Sequence, residues 1–165
     1  AQAGGTVARI AAVQGVHRAR PDTPRAQDAG FGYLVASVVD ALRGGRAFTV
    51  WDDPRINRLA TPVLATDAGE LIWRALRRGV TGTLHCVGAE HVDRVTLARR
   101  AVERFVLDAE LLRVGPPGAP PTEPIPVDTR LDAARTAATL GVELPDLATT
   151  LQRLQDELDA VRSLA

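Results

Sequence analysis

The sequence predicts an α/β protein with few strands and several helices. Short apolar segments bounded by glycines or turn residues alternate with amphipathic segments of helical period, which is the pattern of a parallel sheet with helices on its faces. The chain has 165 residues, which fits one domain covering residues 1–165. Apolar residues make up 45% and charged residues 24% of the chain, a balance that argues against disorder and favours a packed core.

Composition excludes several classes of function. All 20 basic residues are arginines, so the chain has no lysine for Schiff-base, Walker-type or Tyr-x-x-x-Lys chemistry. The formal net charge is zero, which disfavours nucleic-acid binding, and the lone Cys86 and the three histidines show no zinc-like spacing, so we expect no metal. No apolar run approaches the roughly 20 residues that span a bilayer, and no secretion signal opens the chain, so we expect no membrane contact and a cytoplasmic location. The missing Met and the opening Ala1-Gln2-Ala3 lead us to expect a partial polypeptide.

Three segments are predicted to be strands, over residues 6–14, 47–51 and 83–87. The first, TVARIAAVQ, lies between glycines and is largely apolar, which predicts a strand buried on both faces of a parallel sheet. The second, AFTVW, runs into an Asp-Asp-Pro turn, and the third, TLHCV, is closed by Gly88. Three strands leave unpaired edges, so we expect a further segment, absent from this sequence, to pair with them.

Five segments are predicted to be helices because their apolar residues recur at helical spacing. They begin at residue 33, at Thr66 or Asp67, at Asp93 or Thr96, at Asp128 and at Asp146, and they end near residues 43, 78, 105, 140 and 164. Gly44-Gly45 and Gly141 supply residues that commonly end a helix.

Two segments are predicted to be irregular. Residues 17–32 hold three arginines and two prolines without periodicity, which indicates a long loop and a candidate substrate loop. Residues 115–126 hold six prolines and must form an extended or turning connection.

The candidate binding residues are polar side chains on two loops. Arg55, Asn57 and Arg58 follow the strand at 47–51, where two guanidinium groups would suit a diphosphate. Asp52 and Asp53 are near enough in sequence to neutralise both arginines instead, so a solvated, ion-paired loop is the alternative. The same two interpretations apply to Arg18, Arg20 and Arg25 in the long loop. Arg9 lies in the predicted first strand, where a buried guanidinium needs a partner, so a structural ion pair and a site facing the sheet edge are both open.

The remaining reactive side chains are predicted to be structural. His85 and Cys86 lie in a core strand, where a hydrogen-bonded histidine and an inert thiol are expected. His91 and the adjacent Glu90 have no nucleophile identifiable beside them. Tyr33 is followed four residues later by serine where a Tyr-x-x-x-Lys dyad needs lysine, so we predict no catalytic residue in this chain.

Several segments, taken in order, resemble one family. They are residues 7–15 (VARIAAVQG), 61–68 (TPVLATDA), 82–90 (GTLHCVGAE) with 92–94 (VDR), and 126–131 (PVDTRL). Their order over nearly the whole chain resembles the C-terminal half of the extended short-chain dehydrogenase/reductase family, in the branch of dTDP-4-dehydrorhamnose reductase. The resemblance implies the C-terminal portion of a Rossmann-type fold, with few strands and several helices.

The resemblance also implies a function. In that family the complete enzyme binds NAD or NADP and reduces a 4-keto group on a nucleotide-linked sugar. This chain would hold the sugar nucleotide through Arg55, Asn57, Arg58, Pro62, Arg18 and Arg20. The cofactor, for which no binding residue is assigned here, would not bind this chain alone. The partners implied are the nucleotide-sugar substrate, the missing N-terminal nucleotide-binding segment and, as one option, a second copy in a homodimer.

A second interpretation is a non-catalytic, sugar-reductase-like subunit or interaction module. Two departures from the family pattern favour it. Ala12 stands where the branch commonly has an aromatic residue, and Glu123-Pro124 stands where it has an Arg-Pro pair. Both interpretations rest on the same fold, because function depends on the site rather than on the architecture.

Overall fold

Helices and short strands alternate along the chain in the structure, a computed structural model that describes residues 4–16, 27, 30–119 and 125–163. The helices within these residues are α1 (Leu34–Arg43), α2 (Ala65–Arg77), α3 (Arg94–Arg104), α4 (Ala134–Leu140) and α5 (Leu147–Arg162). The strands are β1 (Thr6–Arg9), β2 (Val13–Gln14), β3 (Phe48–Trp51), β4 (Leu59–Ala60), β5 (Val63–Leu64), β6 (Gly82–His85), β7 (Val92–Asp93), β8 (Leu112–Gly115) and β9 (Asp128–Thr129). The predicted α/β class is confirmed.

The strands pair mainly in parallel. β1 pairs with β6, β2 with β5, and β3 with β8, all in parallel. The short strand β4 lies between β7, which is antiparallel to it, and β9, which is parallel. The three strands predicted from the sequence are therefore not mutually paired, because the second of them, β3, pairs with a strand the sequence analysis missed.

The main core lies between β3 and the helices α1, α3 and α5. Leu34, Val38, Val50, Leu97 and Leu154 are fully buried there. A second cluster joins α2, β6 and α4 through the residues Leu71, Ala75, Leu84, Cys86 and Leu140. The predicted burial of Cys86 is confirmed, and burial raises the pKa of its thiol.

Three helix ends follow the predicted chemistry. The side chains of Asp93 and Asp146 accept hydrogen bonds from the backbone N–H groups of Thr96 and Thr149, which caps the starts of α3 and α5. Helix α1 ends at Gly44, and Gly45 follows with a φ of 65°, a conformation that favours glycine.

The prediction of one buried strand over residues 6–14 is wrong. Ala12 has a φ of 44°, which breaks the segment into β1 and β2, and these two strands belong to different sheets. Three of the four residues of β1 are exposed, including Arg9, which was expected in a buried strand. The apolar composition was correct evidence for a strand of a covered sheet, and α2 contacts β1, but three of the four residues of β1 stay exposed.

Two predicted helix starts are also wrong. Helix α2 begins at Ala65, and neither Thr66 nor Asp67 caps it, since Leu64 occupies the cap position without a side-chain hydrogen bond. Helix α4 begins at Ala134 and not at Asp128, because Asp128 pairs with Leu59 in the β4–β9 ladder. Tertiary pairing overrides local propensity in both segments.

Candidate functional site

A groove of 260 Å³ opens where the loop after β3 meets the start of α3. Its lining consists of Asp52, Arg58, Asp93, Arg94, Val95, Arg99 and Val114. The groove lies at the carboxyl ends of the parallel strands β3 and β8 and at the first turn of α3. Both features are common locations for ligand sites in α/β proteins, and helix N-termini favour anions.

Arg58 extends into this groove from the loop between β3 and β4. Its backbone is fixed on both sides, because its N–H donates to the carbonyl of Val127 and its carbonyl accepts from the N–H of Arg94. Its guanidinium Nε lies 2.8 Å from Oδ1 of Asp52, and both side chains stay partly exposed. The guanidinium is therefore held at the groove wall by a carboxylate that solvent or a ligand can reach.

Arg94 forms the inner wall of the groove and is only 2% exposed. Its Nε donates to the carbonyl of Asn57 at 3.2 Å, its Nη1 donates to Oε1 of Gln27 at 3.4 Å, and its Nη2 donates to the carbonyl of Gly30. The guanidinium carbon lies 5.0 Å from the centre of the Phe31 ring. Arg94 thus ties the segment before α1 to the loop that carries Arg58.

Asp93 is an anion at the entrance of helix α3. Burial alone would raise the pKa of Asp93. Hydrogen bonds from Thr96 and neighbouring backbone N–H groups lower the pKa by more than burial raises it, so the pKa lies below its usual value. The three arginines of the lining outnumber its two aspartates, which leaves the groove with an excess of positive charge.

Asn57 lies next to Arg58 and is buried. Its Nδ2 donates to the hydroxyl of Thr129, whereas its Oδ1 is buried without a hydrogen-bond partner. An unpaired buried acceptor is costly, and a donor supplied by a ligand would remove that cost. Among the described residues, Asn57 Oδ1 and Asp67 Oδ2 are buried without a hydrogen-bond partner, and of the two residues Asn57 is the predicted ligand-binding residue.

Arg55 and Arg58 are both neutralised, as the alternative interpretation of this loop anticipated. The Nε and Nη2 atoms of Arg55 donate to the two carboxylate oxygens of Asp53 at 2.8 and 2.7 Å, which occupies its guanidinium fork. This pairing holds the pKa of Asp53 down at about 2. Arg55 lies outside the groove lining, whereas Arg58 lies within it.

Pro62 is buried away from the groove. Its carbonyl accepts a hydrogen bond from the N–H of Gly88, and a Cβ at Gly88 would lie 2.6 Å from that carbonyl oxygen. Pro62 therefore has a packing role that requires glycine opposite it. Arg18 and Arg20 lie outside the described residues, as do Arg25, Glu123 and Pro124.

His85 and His91 make structural contacts. His91 Nδ1 lies 2.8 Å from the hydroxyl of Thr61, and His85 Nδ1 lies 2.7 Å from the carbonyl of Asp132. Glu90 accepts a hydrogen bond from the N–H of Leu147 at the start of α5. In the part of the chain that the structure describes, no group of three His, Cys, Asp or Glu side chains is placed to hold a metal ion.

Sequence reasoning missed Arg94 and Arg99. Both lie in a helical segment with no turn signal, and arginines in such a segment are usually solvated. The usable signal was the Val92-Asp93-Arg94 string, which places Arg94 directly after a capping aspartate, at a helix N-terminus.

The fold of this chain is similar to the folds of several solved enzymes that bind NAD or NADP. The solved structures that show it act on sugar nucleotides according to their names. UDP-glucose 4-epimerase of Thermus thermophilus, in complex with NAD, superposes with a TM-score of 0.71 at 18% identity, covering 98% of this chain and 48% of that chain. dTDP-4-dehydrorhamnose reductase of Bacillus anthracis, in complex with NADP, gives a TM-score of 0.66 at 12% identity, covering 92% of this chain and 48% of that chain.

A third structure, UDP-glucuronic acid 4-epimerase of Bacillus cereus with UDP-glucuronic acid and NAD, gives a TM-score of 0.65 at 16% identity, covering 97% of this chain and 46% of that chain. The chain therefore spans about half the length of the solved structures it resembles. No protein-family model matches the sequence, and comparison with curated proteins finds no match. Among the described residues, no helix is long and apolar enough to cross a bilayer.

Proposed function

We propose that this chain is the substrate-binding portion of an NAD(P)-dependent reductase that acts on a nucleotide-linked 4-keto sugar. The observation that carries the proposal is the groove with Arg58, Arg94 and Arg99 at the carboxyl ends of parallel strands. The fold shared with sugar-nucleotide enzymes supports the substrate class. The C-terminal position of the chain and its cytoplasmic location are parts of the same proposal.

The diphosphate of the nucleotide is the group that the groove suits best. Arginine side chains bind phosphate oxygens through charge-assisted hydrogen bonds, and the N-terminus of α3 adds a favourable field. Arg58 and Arg99 are the arginines proposed to contact the phosphates. Arg94, already bonded to Gln27, Gly30 and Asn57, holds the groove wall in place.

Asp52 competes with the ligand for Arg58. The carboxylate lies 2.8 Å from Nε of Arg58, so a bound phosphate must displace or share this contact. Asn57 Oδ1 is proposed to accept a hydrogen bond from a ligand O–H or N–H group, because it is buried without a donor. Arg55 and Pro62, whose bonding and packing are already complete, are assigned supporting roles.

NAD or NADP belongs to the complete enzyme, where the nicotinamide would supply the hydride. The cofactor is proposed to bind the nucleotide-binding partner segment and not this chain. The phenol and ammonium groups of the catalytic dyad would come from that segment as well. In this arrangement the chain binds and orients the sugar nucleotide.

A non-catalytic, sugar-reductase-like module is the second candidate. It is favoured by the ion pairs of Arg55 and Arg58, which already occupy both predicted phosphate ligands, and by Ala12 and Glu123 in the sequence. The coding sequence upstream of residue 1 separates the two candidates. A Gly-rich loop followed by Tyr-x-x-x-Lys supports the reductase, whereas their absence supports the module.

Calorimetric titration of this chain with dTDP, UDP and NADPH tests the proposal. We expect weak binding of a nucleoside diphosphate and no binding of NADPH. Arg58→Met is expected to weaken the diphosphate affinity about tenfold, the equivalent of roughly 1.4 kcal/mol for one charge-assisted hydrogen bond. Asp52→Asn is expected to strengthen it about threefold, because the competing carboxylate is removed.

The matched control is Arg46→Met, which removes an exposed arginine paired with Asp40 outside the groove lining. It should leave the affinity within about twofold of the unsubstituted chain. Arg58 and Asp52 form one ion pair, so both substitutions break the same contact. If loss of folding were the cause, both would weaken diphosphate binding, so opposite effects exclude that cause. Tight NADPH binding, or diphosphate binding that ignores both substitutions, would overturn the proposal.

A further inference from the structure

Helix α2 has apolar residues on two of its sides. Ala68, Leu71 and Ala75 recur at i, i+3 and i+7 and pack into the core clusters of the chain. Trp73 and Leu76 are 56% and 60% exposed, and they lie about 130° around the helix axis from that buried stripe. A surface helix is normally polar on the side that faces solvent, so this second apolar side is unusual.

Gly69 belongs to the same exposed side. It precedes Trp73 by four residues and Leu76 by seven, so the three residues share one face of the helix. Outside its own stretch of helix, a Cβ at Gly69 would meet no described heavy atom within 4 Å. Glycine inside a helix is destabilising relative to alanine, and no packing within the described part of the chain requires it here. It leaves a gap beside the tryptophan, where the backbone of a neighbouring element can approach closely.

Arginines border the exposed side of α2. Trp73 lines an open hollow of 440 Å³ together with Glu70, Arg74, Arg77 and Arg78. The guanidinium carbon of Arg77 lies 5.9 Å from the centre of the Trp73 ring, and Nε of Arg74 lies 2.6 Å from Oε1 of Glu70. Three cations against one carboxylate leave an excess of positive charge beside the apolar side chains.

Helix stability alone does not explain this surface. Basic residues in the last turn face the negative end of the helix dipole, which accounts for Arg74 and Arg77. It does not account for a glycine, a tryptophan and a leucine that share one exposed face. The same dipole disfavours a small free anion at this end of the helix, so the charges favour a ligand that carries its carboxylates on a larger apolar body.

We infer that Gly69, Trp73 and Leu76, with the arginines beside them, form a docking surface for an acidic amphipathic helix of a partner protein. An apolar side chain of that helix lies over Gly69 against the Trp73 ring, and its carboxylates pair with the arginines. Tryptophan and arginine are the residue types that most often dominate the energy of protein interfaces. The surface shares no residue with the groove lining, so this inference is independent of the proposed function.

Two features of the surface select this occupant. The positive charge is complementary to an acidic partner and repels a basic one. The spacing i, i+4 and i+7 with a glycine in the first position suits a helix that packs across α2. An anionic membrane would use the same charges, but its flat surface leaves the gap at Gly69 unfilled.

The test uses a synthetic acidic peptide of about 15 residues, with leucines at i, i+4 and i+7 and glutamates beside them. The control peptide has lysine in place of every glutamate. Trp51→Phe leaves Trp73 as the only tryptophan of the chain, so desolvation of its ring on binding shifts the fluorescence to shorter wavelength. We expect this shift with the acidic peptide and an affinity at least about tenfold higher than for the lysine peptide.

Gly69→Leu separates docking from folding. It fills the gap beside Trp73 and should weaken binding of the acidic peptide at least about tenfold. It should also raise the urea midpoint, because leucine is a better helix former than glycine. Lost binding together with gained stability cannot come from unfolding.

Arg77→Glu reverses one charge of the surface and should weaken the acidic peptide at least about tenfold. The matched control is Arg104→Glu, because Arg104 ends α3 as Arg77 ends α2 and is also exposed. This control places the same charge at the same end of a helix, away from the hollow, and should leave the affinity within about twofold.

Several outcomes would overturn the inference. They are the absence of a Trp73 shift, equal affinity for the acidic and lysine peptides, and unchanged affinity in Gly69→Leu. A shift with vesicles of phosphatidylserine and phosphatidylcholine but not with the acidic peptide would assign the surface to a membrane instead. A Trp73 emission already shifted in the chain joined to the polypeptide encoded directly upstream would assign it to that segment.

Discussion

The parallel pairs β3–β8 and β1–β6 have the same length and the same strand direction, but their surroundings differ. Helices α1 and α3 pack against β3, and Val50 in its centre is fully buried. In β1 the corresponding residues are exposed. Two strand pairs with the same backbone geometry therefore differ strongly in burial. Strand formation in this chain does not by itself mean that helices cover both faces of the pair.

The largest expected effect concerns an arginine from each region. Arg94→Met removes the donors to Asn57, Gln27 and Gly30 and should lower the free energy of unfolding by about 3 kcal/mol. Arg9→Met, on exposed β1, should change it by less than about 0.5 kcal/mol. Urea denaturation followed by circular dichroism measures both. Equal losses of unfolding free energy in the two variants would mean that the arginine on β1 stabilises the fold as much as the arginine of the groove wall.

A valine pair sharpens the same comparison. Val50→Ala in β3 should cost about 2 kcal/mol, because it removes methyl groups from a close-packed core. Val7→Ala in β1 should cost less than about 0.5 kcal/mol in the chain alone. The same urea experiment applies, and a large cost at Val7 would show that β1 is already covered in solution.

The smallest effect lies at the end of β3 and depends on pH. Arg55 holds the pKa of Asp53 at about 2, below the ordinary value of 3.8. As the pH falls from about 4 to about 2, Asp53 binds a proton more readily in the unfolded chain than in the folded chain. The ion pair therefore stabilises the fold above about pH 4, and this contribution is lost towards pH 2. Asp53→Asn should flatten part of the decline in the urea midpoint over that range.

Asp128, whose pKa Arg130 likewise lowers to about 2, should account for a further part of that decline. An acid profile that Asp53→Asn does not alter would show that the Asp53–Arg55 pair contributes nothing to folding.

The sequence predicted the elements whose signals are local. Helix α5 begins after its predicted cap Asp146, and α1 ends at the predicted glycines. The strand β8 and the two-residue strands other than β2 were missed, because such short segments exist only through their partners. Burial of β1 was predicted wrongly for a related reason: an apolar pattern shows that a strand needs cover but does not show which chain supplies it.

Prediction of the site was incomplete in the same way. The loop after β3 was identified, and both roles for its arginines were anticipated. Sequence spacing did not show that the guanidinium of Arg55 would be fully paired with Asp53 while Arg58 faces a groove. The groove depends on how α3 approaches the loop. Arg94 and Arg99 reach the groove only through that tertiary approach.

The single thiol of the chain has a practical consequence. Cys86 directly follows β6, is fully buried, and donates through its backbone N–H to the carbonyl of Arg9. Only a thiolate reacts readily with alkylating reagents, and burial disfavours that form. Iodoacetamide should therefore modify native protein only during transient opening of this layer, so the alkylation rate measures how often the β1–β6 pair comes apart.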